Sequence, residues 1–162
     1  EENSIDVYSF EKENREYFER NLPPRPATYF DSEGFKEITR ELLREQENHD
    51  VYMHLIRDSQ GTMVGRINLS VLEDDRKTAE LGYRIGENVT NLGYASEAVK
   101  LVLEKAFTTY GLHKIIAGTA TYNLASQRVL LKNGFTFSKI IENDFQMNNE
   151  WINTAVFEIR NL

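Results

Sequence analysis

The order of the predicted elements indicates an α+β fold built on one mixed, mostly antiparallel sheet. Hydrophobic periodicity predicts two helices, three strands, a helix, a strand, a helix and two final strands. Strands grouped ahead of an alternating helix–strand half favour antiparallel pairing with one parallel insertion. The chain has 162 residues, 40% of them hydrophobic, which is typical of one globular domain. We therefore predict a single domain over residues 1–162.

The first part of the chain predicts two helices separated by a proline-rich connection. Apolar residues at helical spacing predict a helix from Tyr8 to Asn21. All three prolines of the protein lie between Pro23 and Pro26, and they end this helix because proline cannot continue it. A second helix is predicted from about Glu33 to Glu47, with Asp31 or Ser32 as its cap.

Three strands are predicted next. Alternating apolar residues indicate a strand from Val51 to Arg57. Its return strand is predicted from Met63 to Leu72, and a third strand from Glu80 to Ile85. The turn Asp58-Ser59-Gln60-Gly61 joins the first two strands as a hairpin. The charged segment from Glu73 to Lys77 leads to the third strand.

The second half alternates helices and strands before it ends in two strands joined by a polar stretch. Gly111 and Gly134 are the predicted helix terminators. The predicted elements are, in order, a helix, a strand, a helix and two strands over Tyr94–Tyr110, His113–Ala120, Asn123–Asn133, Phe135–Ile141 and Glu150–Ile159.

Composition excludes several kinds of site and partner. Cysteine is absent, which removes disulfides, thiolate metal sites and a cysteine nucleophile. The net charge of −7 disfavours nucleic-acid binding, because phosphate backbones are repelled, and it suits a cationic partner. No apolar run approaches the roughly 20 residues that span a bilayer, and no signal peptide is visible. We expect a cytoplasmic protein that binds no membrane.

Two common catalytic arrangements are also missing from the sequence. The three histidines, His49, His54 and His113, lack metal-ligand spacing, so we expect no metal site. The nucleophile elbow Gly-x-Ser-x-Gly of serine hydrolases does not occur.

A candidate phosphate-binding loop lies between the third strand and the following helix. Gly93 stands where this loop meets the helix. Backbone amides without helical partners, at the positive end of the helix dipole, bind phosphate oxygens there. The alternative interpretation is a plain tight turn into a helix.

A second candidate segment is the helix that begins at Asn123. Asn123 is a good helix cap, and Ser126 occupies the third position of the same helix. Gly134 ends the helix, and Phe135 starts a buried strand. The alternative interpretation is a well-capped helix and nothing more.

Together these segments resemble the GNAT superfamily of acetyl-CoA-dependent N-acetyltransferases, and in particular its Rim-type members, which acetylate the N-terminal amine of ribosomal proteins. The resemblance covers nearly all of the chain. The blocks that carry it are Asn14-Arg-Glu-Tyr-Phe18, Pro23-Pro-Arg-Pro26, Ala79-Glu-Leu-Gly-Tyr-Arg-Ile85, Gly93-Tyr-Ala-Ser-Glu-Ala98 and the segment from Asn123 to Phe135.

The resemblance implies a GNAT fold, whose mixed sheet has a V-shaped splay between its central strands. It also implies direct transfer of acetyl from acetyl-CoA to a primary amine in a ternary complex, without a metal. The absence of cysteine agrees with direct transfer, because it removes the commonest acyl-enzyme nucleophile.

Site residues follow from the same resemblance. It implies that Asn123 holds the pantetheine amide and that Ser126 donates a proton or hydrogen bond to the leaving thiolate. The coenzyme would contact the central strand, the loop and the helix start at Tyr83, Arg84, Ile85, Asn91, Leu92, Gly93, Tyr94, Ala95 and Ser96.

The acceptor amine must be neutral to attack, so a base that removes its proton is needed when the amine is protonated. An α-amine has a pKa of about 7.7–8.0 and a lysine amine one of about 10.4, so the lack of an obvious strong base favours an α-amine. Glu80, on the strand beside the acetyl group, is the candidate base, with Glu142 as second choice. Glu80 could instead be a surface or ion-paired carboxylate, and Ser126 could act only in capping.

Three positions depart from the family pattern. Thr90-Asn91 replaces the usual basic or amide residue and first glycine of the coenzyme loop. Leu130 stands where many relatives have a tyrosine acid, and Gly118 stands where some have a glutamate base. Backbone donors remain in the loop, so we expect coenzyme binding to survive.

Several alternatives stay open at the level of sequence. The acceptor is either a protein N-terminus, as we prefer, or a small amine such as a polyamine or aminoglycoside; a non-catalytic acyl-CoA-binding module is a further possibility. We expect a monomer or a homodimer. The aromatic residues that could line an acceptor groove are Tyr8, Tyr29, Phe30 and Trp151.

Overall fold

The computed structural model of the chain describes residues 2–72 and 76–161, where five helices flank a six-stranded sheet. The elements are, in chain order, α1 (Glu2–Glu13), α2 (Arg15–Asn21), α3 (Ser32–Glu47), β1 (Val51–Arg57), β2 (Met63–Val71), β3 (Thr78–Ile85), α4 (Tyr94–Thr108), β4 (Lys114–Ala120), α5 (Leu124–Lys132), β5 (Thr136–Met147) and β6 (Glu150–Arg160).

The strand order is β1-β2-β3-β4-β6-β5. Among the described residues, the central pair, β3 and β4, is parallel, and the pairs β1–β2, β2–β3, β4–β6 and β6–β5 are antiparallel. This confirms the predicted mixed sheet with one parallel insertion. The predicted charged loop over 73–77 falls largely on residues 73–75, which lie outside the described part of the chain.

The single helix predicted from Tyr8 to Asn21 is two helices, so that prediction was wrong. The break lies at Asn14, whose side chain Nδ2 donates to the Phe10 carbonyl at 2.9 Å and whose Oδ1 accepts from the Glu87 backbone N–H at 2.9 Å. An asparagine side chain that bonds backbone groups competes with the helix at that point. It also ties the helix junction to the end of β3.

The polar stretch predicted to join the last two strands is itself a strand, which corrects the predicted end at Ile141. β5 continues to Met147, with irregular pairing between Ile141 and Phe145. Asn143 has a positive φ of 50° there, and its N–H donates to the Asn153 side chain at 2.9 Å. The stretch is polar because this edge strand is largely exposed rather than because it is a loop.

The two faces of the sheet are covered by different helices. On one face, Ala79 and Leu81 of β3 join a core with residues of α4 and α5 that include Val99 and Leu130. On the opposite face, alternate residues of the central strands point toward α1, as the contact between Arg84 and Glu11 shows. In residues 2–72 and 76–161, no helix is both long and apolar enough to cross a membrane.

His54 gives the fold a testable dependence on pH. Tyr110 Oη lies 3.0 Å from His54 Nε2, and burial, followed by the nearby Lys105 charge, lowers the pKa of His54. The unfolded chain therefore binds the proton more readily. The stability that the neutral imidazole contributes is present above the unfolded pKa of about 6.5 and is lost as pH falls through the lower folded pKa.

The free energy of unfolding of the wild type should fall between about pH 7 and about pH 5, and we expect it to fall less in His54→Gln. Urea denaturation at the two pH values measures it. His113→Gln makes the same change at an exposed position and is the control for the loss of one histidine. Identical pH dependence in His54→Gln and wild type would contradict the assignment.

Candidate active site

A gap opens between the two central strands. β3 and β4 pair only from Thr78 opposite Lys114 to Glu80 opposite Ile116. β3 continues to Ile85, whereas β4 stays paired with β6 along its whole length. The strands therefore diverge beyond Glu80, which confirms the predicted V-shaped splay. The edge of β3 that faces the gap offers backbone groups to which an extended ligand can add like a strand.

The N-terminus of α4, the next α-helix along the chain after β3, presents backbone amides. Gly93 caps the helix with a φ of +90°, and among the described residues no side chain caps it. Asn91 also has a positive φ, of 63°, and Asn91, Leu92 and Gly93 are exposed. The first N–H groups of a helix lack helical partners, so the amides of residues 94–96 are available to an anion.

Tyr83 and Ser126 meet across the core face of the sheet. Tyr83 Oη lies 2.9 Å from Ser126 Oγ, which joins β3 to the start of α5. Burial raises the pKa of Tyr83, although its hydrogen bond to Ser126 opposes the change. The phenol thus keeps its proton at neutral pH, and the two hydroxyl groups are hydrogen-bonded to each other.

The predicted cap of α5 is confirmed, and it positions Ser126. Asn123 Oδ1 accepts a hydrogen bond from the Ser126 backbone N–H at 3.1 Å. The cap uses only the amide oxygen, and among the described residues the amide nitrogen of Asn123 donates to no acceptor. Capping and a catalytic role of Ser126 are therefore compatible, since the cap uses its backbone and not its hydroxyl.

Asn133 connects the other predicted segment to the same region. Its Nδ2 donates to Ser96 Oγ at 3.2 Å and to the Val129 carbonyl at 2.9 Å. The bond ties the first turn of α4 to the end of α5. Sequence reasoning had placed Asn133 only within a family motif; its position just before the terminator Gly134 was the available signal.

The two candidate bases lie on strands at different positions in the sheet, one at the gap and one two strands away from it. Glu80 is exposed at the last paired position of β3, where the gap begins. Glu142 is exposed on β5, and β4 and β6 both lie between β5 and the gap. The geometry favours Glu80 over Glu142 as a base.

The departures from the family pattern have visible structural roles. Leu130 is fully buried in the core, so the position held by an acid in many relatives is part of the packing here. Gly118 is exposed on β4, where an added Cβ would lie 3.0 Å from the Thr154 side chain. Neither position offers a titratable group.

A cluster that sequence reasoning missed lies on the opposite face of the sheet. The Glu11 side chain is 1% exposed and forms ion pairs with Arg25, Arg66 and Arg84. Arg84 was predicted as a coenzyme contact of β3, and its side chain points away from Tyr83, because alternate residues of a strand face opposite sides.

The aromatic residues proposed for an acceptor groove separate into two groups. Phe30 lines a pocket beside Glu11, and Tyr8 Oη donates to the Phe30 carbonyl at 2.7 Å. Tyr29 is buried at 2% exposure and packs edge-to-face on Phe30. Trp151 lies on β6 and is largely exposed, apart from the other three.

The comparison with family models decides the family. The model for the acetyltransferase (GNAT) domain matches residues 4–136. This chain belongs to the GNAT family of N-acetyltransferases. The probable N-acetyltransferase YjcK of Bacillus subtilis (strain 168) is 31% identical over 153 residues, which cover 93% of this chain and 84% of YjcK. The predicted N-acetyltransferase class is therefore confirmed.

Solved structures show that this GNAT protein shares its fold with enzymes of different acceptors. Ribosomal-protein-S5-alanine acetyltransferase from Vibrio fischeri superposes with a TM-score of 0.92 at 19% identity, covering 99% of this chain and 88% of that one. Spermidine N-acetyltransferase from Vibrio cholerae, in complex with CoA and spermine, gives 0.81 at 18% identity, covering 98% and 89%. At this level of identity the likeness establishes the fold and not the acceptor.

Proposed function

We propose that this GNAT protein transfers an acetyl group from acetyl-CoA to the α-amine of a protein N-terminus. The observation that carries the proposal is the Tyr83–Ser126 hydroxyl pair, 2.9 Å apart, beside a strand edge opened by the splay of β3 and β4. The relative with a TM-score of 0.92 is named for an alanine of ribosomal protein S5, which supports a protein acceptor. A cytoplasmic location and a monomeric or dimeric state stay predictions.

Coenzyme binding is proposed along one continuous path of backbone groups. The edge of β3 at Tyr83, Arg84 and Ile85 would pair with an extended arm of the ligand. The amides of Tyr94, Ala95 and Ser96, with Asn91, Leu92 and Gly93 ahead of them, would hold phosphate oxygens at the positive end of α4. The path needs no basic side chain, which explains how Thr90-Asn91 can replace the usual loop residues.

The acceptor amine is proposed to lose its proton near Glu80. Acetyl-CoA supplies the acetyl group and a thiol as the leaving group. An α-amine with a pKa of about 7.7–8.0 is partly neutral near pH 7, so an exposed carboxylate acting through water is a sufficient base. Glu80 is placed for this at the closed end of the gap, where the two strands begin to diverge, on the same face as the Glu11 cluster.

The leaving sulfur is proposed to receive its proton from the Tyr83–Ser126 pair. Ser126 would donate its hydroxyl proton to the sulfur while Tyr83 donates its phenol proton to the serine oxygen, and a proton from solvent would restore the phenol after CoA leaves. Burial raises the pKa of Tyr83, so the phenol is protonated when the reaction begins. The amide oxygen of Asn123 is engaged by the Ser126 N–H, and its amide nitrogen would donate to the ligand arm beside them. These residues divide the two proton transfers between opposite faces of β3.

Two other functions are tested against this one by acceptor screening. The net charge of −7 and the fold shared with a spermidine N-acetyltransferase favour a polyamine acceptor as the second candidate. Mass spectrometry of products from a peptide with N-terminal alanine and from spermidine separates them; acetylation of spermidine alone would reject the protein acceptor. Release of thiol on mixing with acetyl-CoA and amine would exclude a non-catalytic binding module.

The coenzyme site is tested by a matched pair of glycine variants. Gly93 and Gly111 flank the two ends of α4, both with positive φ and both with open space around an added Cβ. Alanine at either position should lower the free energy of unfolding by about 1–2 kcal/mol, the cost of that backbone conformation.

Only Gly93→Ala should also weaken acetyl-CoA binding, by about tenfold in Kd, because only that glycine shapes the proposed phosphate loop. Isothermal titration calorimetry measures the affinity. Equal coenzyme affinity in Gly93→Ala and Gly111→Ala would contradict the proposed loop.

A further inference from the structure

The cluster around Glu11 holds more positive than negative charge. Arg66 Nη1 donates to Glu11 Oε1 at 3.2 Å, Arg84 Nη1 donates to Oε2 at 3.1 Å, and Arg25 Nε lies 3.5 Å from Oε2. Three guanidinium groups against one carboxylate leave two positive charges in excess. Tyr29, which accepts from Arg66 at 3.3 Å, stays neutral, since burial and Glu11 raise its pKa.

The excess charge is only partly solvated. Arg25 Nε is buried and has no hydrogen-bond partner in the described part of the chain. Burial lowers the pKa of Arg84, and although Glu11 opposes this, Arg25 and Arg66 lower it further. An additional anion would relieve this repulsion and satisfy free guanidinium donors, because one carboxylate cannot occupy all the donors of three arginines.

Two of the arginines are reachable from solvent. The side chains of Arg25 and Arg84 are 28% and 17% exposed, whereas Arg66 beneath them is 9% exposed. Both reachable arginines line a narrow pocket of about 10 Å³, enough for about one water molecule, whose walls include Phe18, Pro23 and Phe30. An anion would therefore reach their donors at the pocket opening. Aromatic faces fix the guanidinium planes: Arg84 lies 5.0 Å from the Phe18 centroid, and Arg25 lies 4.4 Å from the Tyr29 centroid.

Other charges at the pocket do not cancel the excess. Glu19 also lines the pocket, but its Oε1 accepts from Arg15 Nε at 2.9 Å. Those two groups form their own ion pair. The pocket is therefore locally cationic, although the whole chain carries a net charge of −7.

The pocket lies on the face from which an acceptor can reach the gap. Arg84 and Glu80 occupy the same face of β3, about 13 Å apart along the strand. Gly82 lies between them, and the nearest atom to an added Cβ there is Asn68 Oδ1 at 3.5 Å. Asn68 therefore borders the position over Gly82, and the distance from Glu80 to Arg84 is spanned by two or three extended residues and a side chain.

We infer that Arg25 and Arg84 bind a carboxylate of the acceptor, supplied by an acidic side chain within its first three residues. This inference rests on the proposed function and names the class of N-terminus that the site takes. An amine held near Glu80 places the following residues toward the arginines. The same charges repel a polyamine, whose other amines are cationic.

Steady-state kinetics with three matched peptides tests the inference on the wild-type protein. The peptides begin Ala-Glu-Glu, Ala-Gln-Gln or Ala-Lys-Lys, continue with one neutral sequence and end in an amide, so that no other carboxylate is present. We expect kcat/KM to be about tenfold higher for the acidic than for the neutral peptide, as one charged hydrogen bond provides. It should be lowest for the basic peptide.

Free glutamate is a fourth arm that identifies the source of the carboxylate. If free glutamate is acetylated more slowly than the acidic peptide, the arginines bind an acidic side chain within a protein N-terminus. A faster reaction would overturn the peptide acceptor named in the inference. Spermidine is the fifth arm.

Arg25→Gln tests the assignment to a residue, with Arg44→Gln on exposed α3 as the matched control. The ratio of kcat/KM between acidic and neutral peptides should fall toward one in Arg25→Gln and stay at the wild-type value in Arg44→Gln. Arg25→Lys, which keeps the charge, should recover part of the ratio. A purely structural arginine would change stability and leave the ratio unchanged.

The outcomes separate the two proposals. If none of the five acceptors yields acetylated product, the proposed function fails. If the neutral peptide is acetylated with the same kcat/KM as the acidic peptide, the proposed function stands and the inference is overturned. An unchanged peptide ratio in folded Arg25→Gln also overturns it.

Discussion

Ser126→Ala is expected to lower kcat about 100-fold, at the lower end of what a positioned proton donor contributes, with little change in the Kd for acetyl-CoA. The serine hydroxyl lies 2.9 Å from Tyr83 Oη, and only its backbone N–H takes part in the cap with Asn123. Alanine therefore removes the proton donor and keeps the cap. Stopped-flow thiol release and calorimetry measure the two quantities.

Tyr83→Phe should reduce kcat to a similar extent, because both hydroxyls act in one relay. The double variant should then lose little more than either single variant, since residues that act as a unit are not additive. Ser138→Ala on the exposed part of β5 is the matched control and should be unchanged. A parallel loss of kcat and coenzyme affinity in Ser126→Ala would make Ser126 a scaffold residue.

Glu11→Gln is expected to lower the free energy of unfolding by about 3–5 kcal/mol, the cost of removing one partner from a buried ionic network. The carboxylate is 1% exposed and is the anion shared by Arg25, Arg66 and Arg84. Glutamine would leave three guanidinium groups together without a counter-charge. Urea denaturation monitored by circular dichroism measures the change.

Glu13→Gln is the control for this loss, because Glu13 is an exposed residue of the same helix. Its effect should lie within about 0.5 kcal/mol, as for most surface substitutions. A similarly small effect of Glu11→Gln would contradict the view that Glu11 joins α1 to the sheet.

Local signals explain which parts of the fold could be predicted from the sequence. The cap of α5 is encoded within four residues, so Asn123 and Ser126 were placed correctly. The turn into α4 is marked by Gly93, whose positive φ disfavours other residues. Alternating apolar residues likewise predicted β1, whose bounds the structure confirms at Val51–Arg57.

The Glu11 cluster could not be predicted, because its contacts are distant in sequence. Glu11 is separated from Arg66 by 55 positions and from Arg84 by 73. A glutamate in a helix normally indicates a solvent-facing position, and only the tertiary structure reveals that it is enclosed. The Tyr83–Ser126 bond has the same character, since it spans 43 positions.

Acetyl transfer is proposed to occur in the gap between β3 and β4. Thiol release from acetyl-CoA, followed together with product mass in the presence of a peptide with N-terminal alanine, tests this most directly. We predict one thiol released for each α-amine acetylated, with a rate that falls about 100-fold in Ser126→Ala. Thiol release no faster than in buffer, with every peptide and with spermidine, would contradict acetyl transfer at this site.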